Sequence, residues 1–200
     1  MRLVLPIILL AWSSLVWPAT AGKVDLVTGE VRRIAADSKE EHPLKPADTV
    51  SEGDTLLTGP DGEAHLAMED GGHLALHANT RMQIVKYQAE GEQTDTSIFN
   101  LLKGAMRSVT GWIGKYNPRQ YEVRTPTATI GVRGTDHETR VIPEDSSEGP
   151  AGTYDKVNIG ATEMRTAQGS TRILPNRAGF VAAHGRDKPK LLDRIPGFFR

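Results

Sequence analysis

The sequence predicts an all-β fold, a compact antiparallel or β-solenoid-like domain with one short helical segment. Three observations predict it. Apolar and polar residues alternate in short runs, as where Ala64, Leu66 and Met68 interleave with Glu63, His65 and Ala67, the period of a strand with one buried face. Turn residues recur at about ten-residue spacing, at Gly59-Pro60-Asp61-Gly62, Glu69-Asp70-Gly71-Gly72 and Ala78-Asn79-Thr80, as in all-β domains. The 20 Gly and 12 Pro, with 6% aromatic residues, suit a chain of many short strands and turns.

The elements follow in order. Residues 1–21 have the form of a signal peptide: Arg2 supplies a positive start, Leu3 to Val16 is apolar apart from Ser13 and Ser14, and Ala19-Thr20-Ala21 is a cleavage site. Cleavage after Ala21 leaves a mature chain from Gly22. The apolar run is short for a span of about 20 residues, and no later stretch could cross a bilayer, so the mature protein is expected in the periplasm or secreted. Val24 to Ile34 reads as a strand broken at Thr28-Gly29, and Ala35 to Pro46 as a loop. Strands with turns between them run from Val50 to Ile84, and Ile98 to Leu102 resumes the pattern. That periodicity does not separate hairpins from solenoid rungs.

Within Arg107 to Pro118, the residues Val109, Trp112, Ile113 and Tyr116 have helical spacing and Pro118 stops the run. Gly111 and Gly114 restrict this to a helical turn or two. The stretch Thr125 to Thr135, TPTATIGVRGT, reads as a strand. Pro126 favours an extended Thr125, and Ala128, Ile130 and Val132 share one face while Thr127, Thr129 and Gly131 share the other. His137 to Ile142 continues it. Pro143 to Gly152 is the most loop-like composition and the expected flexible segment. Val157 and Met164 belong to a strand pair, with further hairpins through Thr171 to Leu174 and Phe180 to Ala183. A β domain thus spans 22–188, and an apolar tail spans 189–200, with Leu191, Leu192, Ile195, Phe198 and Phe199. The tail either docks on the domain or forms a partner-binding end.

Several chemistries are excluded or unsupported. There is no cysteine, hence no thiol nucleophile, disulfide or lipidated cysteine. Charges balance, 24 Lys+Arg against 25 Asp+Glu, so no basic excess marks a nucleic-acid partner. The G-x-S-x-G, H-E-x-x-H and phosphate-loop motifs are absent. No catalytic residues, metal or cofactor are therefore expected. If residues 64–68 and 74–78 form a hairpin with Leu66 facing Leu76, His65 lies opposite His77, which is short of a structural metal site. Arg133 is expected to be a structural arginine, its five donors tying strand-end carbonyls or an acidic side chain. On that reading Lys at 133 loses the planar fork and lowers the melting temperature. Trp112, Tyr116 and Tyr121 cluster near the helical segment, where core packing is the default and an exposed ring platform for sugars is the alternative.

An ordered set of motifs resembles the FecR-domain family. It comprises Gly53-Asp54-Thr55, Thr58-Gly59, Ala64-His65-Leu66, Asp70-Gly71-Gly72, Asn79-Thr80, Lys103-Gly104-Ala105-Met106-Arg107, TPTATIGVRGT, and a last strand set around Val157 and Gly160. The resemblance runs from about Val24 to Ala183, and its signature residues are Asp70, Gly71, Thr125, Pro126, Gly131, Val132, Arg133, Gly134 and Thr135. It implies an extracytoplasmic, non-catalytic β domain. The best understood members relay a signal from an outer-membrane receptor to a sigma factor through a cytoplasmic anti-sigma region and a transmembrane helix before the domain. Neither precedes the domain in this sequence, so that relay is not expected here. The expected role is an exported binding or scaffolding module of the cell envelope, with an envelope protein as partner and Trp112 and Tyr116 as partner-binding candidates. A carbohydrate- or peptidoglycan-binding module is the alternative, and an envelope hydrolase is the third reading.

Overall fold

A computed structural model describes residues 19–183 and 187–199. All but the last residues of the predicted signal peptide lie outside the described residues. The described end of that segment already belongs to the sheet, because the first strand, β1, is Thr20–Thr28. Ala21 is fully buried there, and its carbonyl accepts the Glu69 N–H at 3.0 Å.

The other strands are β2 Val31–Ile34, β3 Glu41–Pro43, β4 Thr49–Ser51, β5 Thr55–Thr58, β6 Glu63–Met68, β7 His73–Leu76 and β8 Arg81–Gln88. Then come β9 Thr96–Val109, β10 Tyr121–Arg124, β11 Thr129–Ile142, β12 Gly152–Thr166, β13 Gly169–Ile173, β14 Arg177–Ala182 and β15 Lys190–Leu191. One short helix, α1 Trp112–Tyr116, follows β9 and leads into a 3-10 turn at Pro118–Gln120. The helical expectation thus holds for Trp112, Ile113 and Tyr116, whereas Val109 ends a strand.

The strands join in one continuous sheet, ordered β15-β14-β12-β11-β10-β9-β7-β6-β1-β4 with β2, β3, β5, β8 and β13 branching from it. Pairings are antiparallel except β9 with β10, so hairpins rather than stacked parallel rungs build it. Three long strands organise the rest. The first half of β9 pairs with β8 and β10, and its second half with β7 and β11. The first half of β11 pairs with β10, the second with β9. The first half of β12 pairs with β14, the second with β13. What reads in sequence as a strand pair, Lys156–Gly160 and Glu163–Arg165, is therefore one bent strand.

Each long strand changes partners near a glycine in the left-handed region: Gly104 in β9 (φ 86°), Gly134 in β11 (φ 58°) and Gly160 in β12 (φ 81°). A Cβ on Gly160 would stand 2.2 Å from the Gly134 carbonyl oxygen. The register between β11 and β12 shifts at the same place, between Arg133 and Asp136, which is how a bulge bends a strand pair.

The bent sheet encloses one large apolar cluster, to which Val24, Leu66, Leu76, Met82, Phe99, Ile130, Val132 and Met164 contribute. Burying a side chain of this size contributes about 1.5–3 kcal/mol. A row of rings crosses it: Tyr87 to Phe99 at 6.3 Å, Phe99 to Tyr121 at 5.9 Å and Tyr121 to His137 at 6.4 Å. A second cluster holds Ile142, Tyr154, Phe180 and Phe199. The tail thus docks: β15 pairs with β14, and Lys156 Nζ donates to the Phe199 carbonyl at 2.8 Å. Side chains also anchor the segment 143–152, expected to be flexible. Arg140 Nε donates to Glu148 at 3.1 Å, and Asp145 accepts the Ala151 N–H at 2.7 Å.

Replacing Gly160 with Ala should combine left-handed strain of about 1–2 kcal/mol with a backbone overlap of about 1–3 kcal/mol. Gly71 also has a positive φ (70°), but a Cβ there meets nothing within 4 Å, so Gly71→Ala should cost only the strain. Urea unfolding of the two variants checks this. Equal losses would contradict the crossing's importance.

Candidate functional site

The signature stretch splits into a turn and a strand. Thr125 to Ala128 is the turn between β10 and β11: Thr125 N–H bonds to the Ala128 carbonyl at 2.9 Å, and Thr125 Oγ1 accepts the Ala128 N–H at 3.0 Å. Pro126 sits inside this turn, a position its fixed φ suits, so the strand begins at Thr129 rather than at Thr125. Ala128, Ile130 and Val132 are buried as their spacing predicts. Thr135 is buried beside Thr110, whose hydroxyl accepts the Thr135 N–H at 2.9 Å.

The opposite face of the same strand is the candidate site. Cross-strand neighbours run Glu122, Gly131, Glu163, Arg172 in one row and Arg124, Thr129, Arg165, Ser170 in the next. Around Gly131 and Ala161, which have little or no side chain, lies an open hollow of about 300 Å³. Its lining includes Arg119, Arg133, Arg165 and Arg172 against a single acid, Glu163. Arg165 bridges Glu122 at 3.2 Å and Glu163 at 3.5 Å. A Cβ at Gly131 would stand 3.0 Å from Arg165 Nη1, so glycine here gives the guanidinium room to lie against the backbone. A second hollow of about 410 Å³ adjoins it, its lining including Glu122, Thr125, Thr127, Thr129, Thr166 and the shared Arg165.

Arg133 is therefore not the structural arginine, tying carbonyls or an acidic side chain, that the sequence leads one to expect. Its side chain is exposed and forms no hydrogen bond or ion pair among the described residues. The strand period itself places it outward, two residues beyond Gly131. Arg119, Arg165 and Arg172 lie outside the residues that the sequence motifs mark. The outward parity of 165 and 172, opposite inward Met164 and Ile173, carries that signal, but only the register shows that they converge.

Asp70 and Gly71 hold the β6–β7 turn to its surroundings. Buried Asp70 Oδ1 accepts the Tyr87 hydroxyl at 2.9 Å and the Gly72 N–H at 3.0 Å, and its carbonyl accepts the Trp112 N–H at 3.0 Å. Burial, then the Asp70 charge, pushes the Tyr87 phenol above its ordinary range. Trp112 packs against the core and donates Nε1–H to buried Asp95 at 3.0 Å, whereas Tyr116 is 79% exposed. The two rings thus do not form one exposed platform. Ile159, paired with Asp136 in β12 beside Gly160, is 65% exposed. Lys115 of α1 packs over Gly134, 3.6 Å from where a Cβ would stand, so Tyr116 and Ile159 both flank the strand crossing.

An acid–base pair lies in the interior. His137 Nδ1 is 2.9 Å from Asp155 Oδ1, which also accepts the Thr139 hydroxyl at 2.9 Å, while Thr162 donates to Oδ2 at 2.6 Å. Both side chains have zero exposure, so no substrate reaches them in this conformation. The His65–His77 pair does not form. Leu66 faces Leu74 rather than Leu76, His65 faces Ala75, and His65 Nε2 bonds Glu63 at 2.8 Å. Among the described residues no group of three His, Asp or Glu is placed to hold a metal ion, and no helix is long and apolar enough to cross a membrane.

The family model described as FecR protein matches residues 54–149, a segment that includes Asp70, the Thr125–Ala128 turn and the crossing residue Gly134. No protein of curated function matches the chain. Two crystal structures of a protein from Parabacteroides distasonis ATCC 8503, described as an anti-sigma factor, share the fold, with TM-scores of 0.55 and 0.56 at 18% and 19% identity. Each match covers 71% of this chain and 60% of the other. The chain thus spans less than two thirds of those proteins.

Two carboxylates lend the fold acid sensitivity. Arg107 donates to Asp136 from Nε at 2.8 Å and Nη2 at 2.6 Å. These bonds hold the Asp136 carboxyl below its ordinary value against its burial. Burial raises Asp95, but the Trp112 indole and the amides of Glu90, Gly91 and Glu92 outweigh it and leave it lowered. A carboxyl lowered in the folded state adds stability above its unfolded value, about 3.9, and loses it as pH falls through the folded value. The urea midpoint should therefore drop below about pH 4. It should drop less steeply in the Asp95→Asn/Asp136→Asn variant, which starts lower at neutral pH. Parallel pH profiles would contradict these assignments.

Proposed function

We propose that this chain, which carries a FecR-family segment at residues 54–149, is an exported, non-catalytic module of a bacterial envelope that engages a protein partner in signalling or regulation. The family match is the observation that carries this reading. The fold shared with structures described as an anti-sigma factor supports it. Sealing of the His137–Asp155 pair favours binding over hydrolysis, since acid–base catalysis needs the pair within reach of a substrate. Export rests on the N-terminal pattern of charge, apolar run and A-x-A site.

Tyr116 and Ile159 are the contact residues in this proposal. They are the two most exposed large hydrophobic side chains among the described residues, at 79% and 65%, and aromatic side chains are enriched at the centres of interfaces. Trp112 supports Tyr116 from below by anchoring α1 and is not itself a contact.

A photo-crosslinking amino acid at position 116, used in intact cells, should give one discrete protein adduct that is lost with Ile159→Arg. The same probe at exposed Leu102 should not give it. Mature protein recovered from those cells should begin at Gly22. Absence of any adduct, together with turnover of an envelope substrate by the purified protein, would overturn the proposal.

A further inference from the structure

We propose that the hollow over Gly131 and Ala161 binds an acidic polysaccharide through the carboxylates of its sugar acids. This goes beyond the protein-partner reading and does not depend on it. The charge is concentrated against the composition. The chain as a whole carries a net charge of −1, yet four arginines and one glutamate line this single hollow. Glu163 and the neighbouring Glu122 are both held by Arg165, Glu122 also by Arg124 at 2.9 Å. Arg119, Arg133 and Arg172 have no side-chain hydrogen bond or ion pair among the described residues. Like charges gathered round a concave surface raise the local positive potential, and an anion entering it relieves their repulsion. Guanidinium forks match planar carboxylates with two parallel hydrogen bonds.

The class of ligand follows from what else lines the site. The floor strands β10, β11 and β12 are each paired on both sides, so an incoming peptide cannot add a strand across the floor as extended peptides do at a free edge; β13, which pairs with β12 alone, leaves its edge at the rim. No aromatic and no Leu, Ile or Met lines either hollow, so there is no pocket for the apolar anchors that dominate protein interfaces. The same absence removes the stacking platforms that single-stranded nucleic acids use. What remains is guanidinium followed by hydroxyl. The arginine-lined hollow runs into one rimmed by Thr125, Thr127, Thr129 and Thr166, with Arg165 between them, and the one acid of that second hollow, Glu122, is already paired with Arg124 and Arg165. A chain that repeats carboxylate and hydroxyl groups matches both parts at once. The aromatic platform considered for neutral sugars is not formed, so charge and hydroxyl contacts would carry recognition.

Isothermal titration of the mature protein at low salt tests this, with oligogalacturonate as the probe and dextran, poly-L-glutamate and a DNA oligonucleotide as comparisons. Oligogalacturonate should bind, and more tightly than all three. The Arg133→Ala/Arg172→Ala variant removes two forks and should weaken binding at least about tenfold. Its melting temperature should stay that of the parent, because neither side chain holds the fold. Arg133→Lys keeps the charge but loses the fork, so it should weaken binding several-fold without a change in melting temperature. Gly131→Val should fill the hollow and weaken binding in proportion. Equal binding of dextran, equal or tighter binding of poly-L-glutamate or DNA, or undiminished binding by the double arginine variant would overturn the assignment.

Discussion

The Gly160 Cα lies so close to the Gly134 carbonyl that a side chain could not fit between them. That backbone contact is the constraint on which the sheet depends. At this crossing β11 and β12 bend together and change partners. Their one end joins β9 and β14, and their other end joins β10 and β13. Without the bend, 14- and 15-residue strands would extend the sheet flat and leave its apolar face in water. With it, Val132, Val157 and Met164 reach the same core from two directions. Gly104 does the same for β9. Three left-handed glycines therefore convert a long meander into a closed core without a disulfide.

The polar interior shows the same economy of position. Asp155 is fully buried, a costly place for a carboxyl unless hydrogen bonds replace water. Thr139, Thr162 and His137 supply them. Asp70 and Asp95 do comparable work at the edge of the core, tying the β6–β7 turn, Tyr87 and α1 together. These carboxylates face inward and take their hydrogen bonds from the protein, while His137 Nε2 and the Thr135 hydroxyl are buried without a partner among the described residues. Outside, Arg119, Arg133 and Arg172 are exposed without a side-chain partner among the described residues, and Tyr116 and Ile159 are exposed beside the crossing.

Much of this was legible in the residues. The alternation of Ala128, Ile130 and Val132 fixed their inward face, and the glycines at 104, 134 and 160 were already visible within the motif set. Register was not legible. Leu66, Leu74 and Leu76 have the same parity, so a hairpin can slip by two residues and keep every apolar side chain inside. The His65–His77 pair failed on that degeneracy. Turn chemistry decided Thr125, whose hydroxyl closes the turn that Pro126 starts. The donor count of Arg133 fits a structural role, whereas the strand period alone puts it outside. The arginine hollow needed four strands in register and could not be read from any one of them.

Native-state hydrogen exchange of β11 and β12 tests the central claim most directly. If the Gly134–Gly160 crossing locks both ends of the sheet to one core, the buried amides on either side of it, at Ile130 and Val132 and at Thr139 and Val141, should exchange only through a common opening. Their protection should then equal the global stability and fall together in denaturant. Separate openings, with one half of the two strands exchanging well before the other, would contradict it.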